Sequence, residues 1–166
     1  MARAHHVKKA RKDYLEADIK KGDSYWWWAF NFGPKVKSKN KPRRSQLTQS
    51  WFYAAMWDIE DDFGDATAPR SGVDFDDLMR LCNDAASNVR EQGDECQEKL
   101  DNMPMSLQDS DSGCTLRDRI EQCETIASLL EQASDTVEGL RDGEEPLEER
   151  WDDAIDALGE IDWSYD

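Results

Sequence analysis

Tyr25 and Trp27 stand two residues apart in an aromatic run, and Lys37, Lys39, Lys41, Arg43 and Arg44 follow it closely. Flat rings stack on unpaired bases, at roughly 1–3 kcal/mol per base, and Lys and Arg meet phosphates. Together these residue types would bind a nucleic acid. The competing reading makes the tryptophans a small core beneath a solvated basic surface. A second set of residues has the opposite sign: Asp76, Asp77, Asp84, Glu91, Glu95, Glu98, Glu121, Glu124, Glu131, Asp152 and Asp153, joined by Asp94, Asp135, Glu138, Glu148, Glu149 and Asp156. At helical spacing these carboxylates line outer faces. Rigid rows of them can imitate DNA, which carries about one charge per 1.7 Å of duplex axis. The competing reading is a solvated acidic face that maintains solubility.

The two sets belong to an electrically split chain. Residues 1–50 carry 13 Lys+Arg against 4 Asp+Glu, a balance of +9; residues 51–166 carry 8 against 33, a balance of −25. Such asymmetry speaks to partners and not to fold. The first third should attract polyanions and the remainder should attract basic protein surfaces. The two regions could also mask each other.

Enzyme motifs are weak. Glu121-x-x-Glu124 followed by Glu149-x-x-Asp152 has the spacing of the magnesium-binding helix pair in all-α nucleotide pyrophosphohydrolases. A region this acidic produces such pairs by chance, and no His, Ser or Lys accompanies them in a recognisable arrangement. Asp109–Gly113 lacks the ligand spacing of an EF-hand. Cys82, Cys96, Cys114 and Cys123 contain no CxxC, and His5 and His6 are distant, so no metal site or cofactor is expected. Three of the four cysteines fall on apolar helix positions and read as buried thiols. No apolar run approaches a membrane span, and Met1–Lys12 lacks the apolar core of a secretory leader. The expectation is a cytoplasmic protein without a membrane partner.

The elements that must position these residues follow from periodicity. Met1–Asp23 is a basic lead, either a short helix or an arm ordered on binding. Ser24–Lys39 predicts a β-hairpin, with Trp26, Trp28, Phe30 and Phe32 on an apolar face. A two-residue turn at Gly33-Pro34 would set the lysines on that face. A three-residue turn from Gly33 to Lys35 would pair Phe32 with Val36, bury Val36, and place Lys37 and Lys39 on the face of Tyr25 and Trp27. The second is preferred. A helix follows from an N-cap at Thr48 to about Phe63, where Glu60, Asp61 and Asp62 oppose the dipole. Gly64–Gly72 reads as a loop. Asp74–Asn102 and Thr115–Leu140 predict two long helices. Their seams, Cys82/Val89/Cys96/Met103 and Leu116/Cys123/Leu130/Val137, repeat every seven residues, with a break at Gln92-Gly93. Met105–Gly113 reads as the polar connection between them, and the pair should form an antiparallel hairpin. A last helix starts near Pro146, with Leu147, Trp151, Ala154, Ile155, Leu158 and Ile161 on its apolar stripe. The tail, 162–166, is acidic and aromatic.

The stretch from His5 to Ser50, with KKARKDY, KKGDSYWWW and PRRSQLTQS, resembles a group of small bacteriophage- and prophage-encoded proteins. It covers about the first third of the chain. The resemblance implies a phage origin and a bacterial host cell, and no catalytic residues. The expected fold is mainly α (α+β). It comprises a basic hairpin-plus-helix region, 1–63, and an acidic helical region, 73–166. The expected function is a non-enzymatic phage inhibitor of a basic, nucleic-acid-handling or defence protein of the host. The alternatives are a nucleic-acid binder acting through its N-terminal hairpin, and an assembly protein that dimerises through the heptad seams.

Overall fold

The computed structural model describes residues 1–31, 33–67 and 74–165. It is mainly helical with one small sheet, and it divides into two compact units, Met1–Asp58 and Ile59–Asp166.

The first unit is built on a three-stranded antiparallel sheet in the order β1 (His5–Val7), β2 (Tyr25–Trp28), β3 (Val36–Ser38). The lead is therefore neither helix nor loose arm at its start. His5 pairs with Trp27, His6 with Trp26 and Val7 with Tyr25. On the other edge Trp28 pairs with Val36, Trp27 with Lys37 and Trp26 with Ser38. The connection thus spans 29–35, longer than the three-residue turn expected. The expected pairing of Phe32 lies outside the described residues. Val36 is 42% exposed and not buried. The shift between the two registers is an even number of residues, so Lys37 still shares the face of Trp27.

Residues 8–23 return over that face as a tied arch. The Ala10 N–H donates to the Asp23 carbonyl (2.7 Å), the Gly22 N–H to Ala10 (3.0 Å) and the Tyr14 N–H to Ile19 (2.8 Å). Gly22, at φ +104°, makes the turn that an L side chain would strain. Ala10, Ile19 and Tyr25 form a miniature core with Val7, Tyr14, Ala17 and Trp27 packed around it. Helix α1 (Trp51–Thr67) starts two residues later than an N-cap at Thr48 would place it. Ser50 fills the N-cap place, its Oγ 3.5 Å from the Tyr53 N–H and its carbonyl accepting from Ala54 (3.0 Å). Thr48 instead closes a short 3-10 turn, Ser45–Leu47, and accepts from the Ser50 N–H.

Helix α1 continues past Phe63 to Thr67, through part of the expected loop; 68–73 lie outside the described residues. Its second half belongs to the second unit. There Phe63 packs on Trp163 (5.6 Å between rings) and Tyr165 donates its hydroxyl to Glu60, so the aromatic tail is folded back and Tyr165 is buried. The main body of this unit is the expected antiparallel hairpin of α2 (Phe75–Asp101) and α4 (Asp111–Arg141). A capping box starts α2: the Asp77 N–H donates to Asp74 Oδ1 (2.9 Å) and the Asp74 N–H to Asp77 Oδ2 (3.4 Å). The seam residues Cys82, Val89, Cys96, Cys123, Leu130 and Val137 are buried.

Gly93 is no break in the α2 seam. A Cβ there would come 3.2 Å from Cys123 Cβ, so glycine lets the helices close at this level. The connection is shorter than expected. Short helix α3 (Met105–Gln108) leads almost directly into α4, which starts four residues early. Gly113 makes that corner, since a Cβ would fall onto the Gln108 carbonyl. Helix α5 (Leu147–Gly159) packs on α4 through Ala154 and Leu158, while Leu147, expected on the stripe, is 64% exposed.

Candidate nucleic-acid and partner interfaces

The sheet brings Trp27 and Lys37 side by side, but it uses most of the candidate groups internally. Tyr25 is a core residue, 8% exposed, with its ring 5.4 Å from Tyr14. The hydrogen bond with Tyr14 and burial push its hydroxyl above the usual phenol range. It is not open to a base. Trp27 is covered by neighbours from either side of β2: His5 of β1 stacks on it (4.4 Å, 15°), and the ammonium of Lys35, just before β3, lies 4.1 Å over its ring. Lys37 sits over Tyr14 (4.5 Å). Lys39 pairs with Asp18 at 2.6 Å, and that bond holds the Asp18 carboxyl below its ordinary range. Arg43 faces Asp58 (3.9 Å) and Arg44 lies over Trp57 (5.9 Å). Of this candidate set, Lys41 alone is exposed and makes no ion pair among the described residues.

The open cations lie in the arch. Lys8, Lys9, Arg11, Lys20 and Lys21 are exposed and make no ion pair among the described residues. Hydrogen bonds from the Lys20 N–H to Asp23 (2.9 Å) and from the Lys21 N–H to Asp13 (2.6 Å) hold their backbone in place. Sequence reasoning counted these charges without placing them in a site. The signal was present: strand-forming His5-His6-Val7 ahead of Gly22 predicts a strand that returns, and a return presents its loop.

Among the described residues of the acidic unit the scarce cations are engaged. Arg90 joins α2 to α4, its guanidinium bonded to both Glu131 oxygens (one at 2.9 Å) and 3.5 Å from Glu124. The pairing holds Glu131 below, and Arg90 above, their usual ranges. Arg141 gathers Asp76 (3.0 Å), Glu138 (3.5 Å) and Asp142 (2.9 Å). Arg80 pairs with Asp77 and Lys99 with Glu95. Arg117 pairs with Asp109 (3.4 Å). Arg150 caps the end of α4, donating to the carbonyls of Leu140 (2.9 Å) and Arg141 (2.7 Å).

The candidate carboxylates divide accordingly. Asp76, Asp77, Glu95, Glu124 and Glu131 have internal partners. Asp84, Glu91, Glu98, Glu121, Asp152 and Asp153 are exposed and make no ion pair among the described residues. Asp84, Glu91 and Glu98 are seven apart and share one face of α2, with Asp94 and Asp101 interleaved. Five carboxylates thus run along about 25 Å of helix, about one per 6 Å. DNA carries about one phosphate per 3.4 Å along each strand. Asp101 was missed from sequence; the same heptad offset would have found it.

Among the described residues, no three His, Cys, Asp or Glu side chains gather to hold a metal ion, so the pairs Glu121/Glu124 and Glu149/Asp152 do not share a centre. Cys82, Cys96 and Cys123 are buried, and burial pushes their thiols up, Cys82 to about 11 and Cys123 to about 12. Cys114 is exposed. Among the described residues, no helix is long and apolar enough to cross a membrane. The chain matches no protein-family model, no curated protein and no solved structure.

Proposed function

We propose that this chain is a non-enzymatic interaction protein whose acidic helices dock on the basic, nucleic-acid-binding surface of a partner protein. The observation that carries this reading is the row Asp84, Glu91, Asp94, Glu98 and Asp101 on a helix braced by α4. Among the described residues of the second unit, Arg80, Arg90, Lys99, Arg117, Arg141 and Arg150 are bonded to other groups. A fixed row needs no reordering when a basic groove approaches, which lowers the entropic cost of binding. Taken with the phage resemblance, the partner is a nucleic-acid-handling or defence protein of a bacterial host, met in the host cytoplasm.

The test is affinity capture from nuclease-treated bacterial lysate. The wild-type chain is compared with the triple variant Asp84→Lys, Glu91→Lys, Glu98→Lys. One protein retained by the wild type, lost by the variant, and released from its own nucleic acid when this chain is added is the expected result. Equal retention by both chains overturns the reading.

A second reading is favoured by the arch. Lys8, Lys9, Arg11, Lys20 and Lys21 on a tied loop form a phosphate-binding surface, so the first unit binds nucleic acid by charge, with the sheet aromatics as scaffold. Substituting these five by Gln should remove nucleic-acid binding. Substituting Lys37, Lys39, Arg43 and Arg44 should leave most of it.

A further inference from the structure

Helix α5 covers only part of the α2–α4 hairpin. It has 13 residues against the 31 of α4, and it lies toward the C-terminal half of α4 and the start of α2, where Trp151 packs on Phe75 (5.4 Å). Ala157 near its end, with Glu160 and Ile161 just after it, meets Leu129 and Gln132 of α4 around a small cavity of about 280 Å³. From those same two residues a larger groove, of about 700 Å³, continues along α4 as far as Arg117, with Gln97 and Leu100 of α2 forming its other wall. Its lining on α4 recurs in steps of three and four, from 117 to 132, which is one helix face about 22 Å long. Ile120 and Leu129 are half-buried there, at positions that α5 would cover if it were longer. Among the described residues of the second unit, the hairpin carries a third helix over one half and an open groove, a third seat, over the other.

We propose that this seat receives an amphipathic helix from the partner protein, with apolar side chains on Ile120, Leu129 and Leu100 and a basic polar face. Charge selects the occupant. Glu121 and Glu124 stand on the rim, and Glu121 makes no ion pair among the described residues. Arg117, the one cation of the lining, already faces Asp109. A helix from the acidic region of a second copy, residues 51–166 with 8 Lys+Arg against 33 Asp+Glu, would bring like charge against like, whereas Lys and Arg flanking an apolar stripe would meet the rim carboxylates. A helix of about four turns fills the length and extends the packing of α5 end to end. The inference deepens the docking reading and rests on it: the row on α2 draws in a basic partner, and the groove holds one helix of it.

The test uses the full chain and two fluorescein-labelled synthetic peptides of ~20 residues, both of Leu and Lys. In one, Leu recurs at i, i+3, i+4 and i+7; in the other, the same residues are scrambled so that no face is apolar. Anisotropy at physiological salt should show the patterned peptide bound at least about tenfold tighter, a difference of about 1.4 kcal/mol. The double variant Ile120→Glu, Leu129→Glu should erase that preference. So should Thr125→Arg with Ser128→Arg, which narrows the groove from the rim should the first variant fail to fold. The variant Asp84→Lys, Glu91→Lys, Glu98→Lys should weaken both peptides and keep the preference.

Equal binding of the two peptides overturns the inference, as does a preference that survives both groove variants. In either case the docking reading stands if reversing the α2 row still abolishes partner capture. A dimer in light scattering that the groove variants dissolve would assign the seat to a second copy and also overturn it.

Discussion

The two units solve one problem with opposite signs. In the first, five carboxylates face thirteen cations, and in the described structure the aromatic sheet absorbs part of the excess. Lys35 lies over Trp27, Lys37 over Tyr14, and Lys39 reaches Asp18. In the second unit a few cations are bonded by many carboxylates, and Arg90 and Arg141 each gather more than one. Each unit bonds much of its described minority charge within itself and displays majority charge on its surface. The open cations lie mostly on the arch, and the open carboxylates include the row on α2. Beside β2 the aromatic residues next to cations are scaffold, and on the readings proposed above the displayed charge is what a partner meets.

The comparison breaks first at the cores. The first unit rests on three strands of three or four residues, the second on a long seam, so truncation should hurt the second in proportion to its packing. Leu130, fully buried on α4, should cost about 2–5 kcal/mol when replaced by Ala, read as a fall in the helical denaturation midpoint. Gly93→Leu adds bulk where even a Cβ approaches Cys123, and should cost about 1–3 kcal/mol by overpacking. Little change in either variant would mean that the α2–α4 seam is not the core of the second unit.

Much of this seam was legible in the sequence. Heptad spacing named its residues; the capping box of Asp74 and Asp77 at the start of α2 came from the structure. Gly93 was misread because glycine scores as a helix breaker when its neighbour across the seam is unknown; the close approach to Cys123 is a tertiary fact. The first unit was less legible. Tyr25 and Trp27 read as stacking rings because a one-dimensional pattern shows which face a residue shares but not what covers that face. The cover is the arch, whose fold depends on pairing between His5–Val7 and Tyr25–Trp27 across nearly twenty residues. The α2 row was recognisable because helix periodicity alone sets it, whereas the empty seat beside α4 depends on where α5 stops.

A smaller effect sharpens the contrast between buried and displayed groups. Cys82, Cys96 and Cys123 are buried with raised pKa values, so they remain thiols at neutral pH and are shielded from reagent. Iodoacetamide on the native chain should modify Cys114 rapidly and leave the other three unmodified, with all four reacting in denaturant. Rapid native modification at Cys123 would show that the helices part at Gly93.

The smallest effect concerns the minority charge itself. Glu131 is held below the usual carboxylate range by its hydrogen bonds to Arg90. A group with a lowered folded pKa contributes stability that is complete above its unfolded value, about 4.3 for Glu, and is lost as pH falls through the folded value. The wild-type chain should therefore lose this contribution in the acid range below that value, while Arg90→Gln has none to lose. Protonation also relieves repulsion among the many other carboxylates, and this opposing trend is common to both chains, so the difference between them isolates the clamp. Urea denaturation at neutral pH should show Arg90→Gln slightly less stable, as expected for an exposed pair. The two stability curves should converge as the pH is lowered through the acid range. Curves that stay parallel would mean that Arg90 braces the helices by packing its stem and not by its charge.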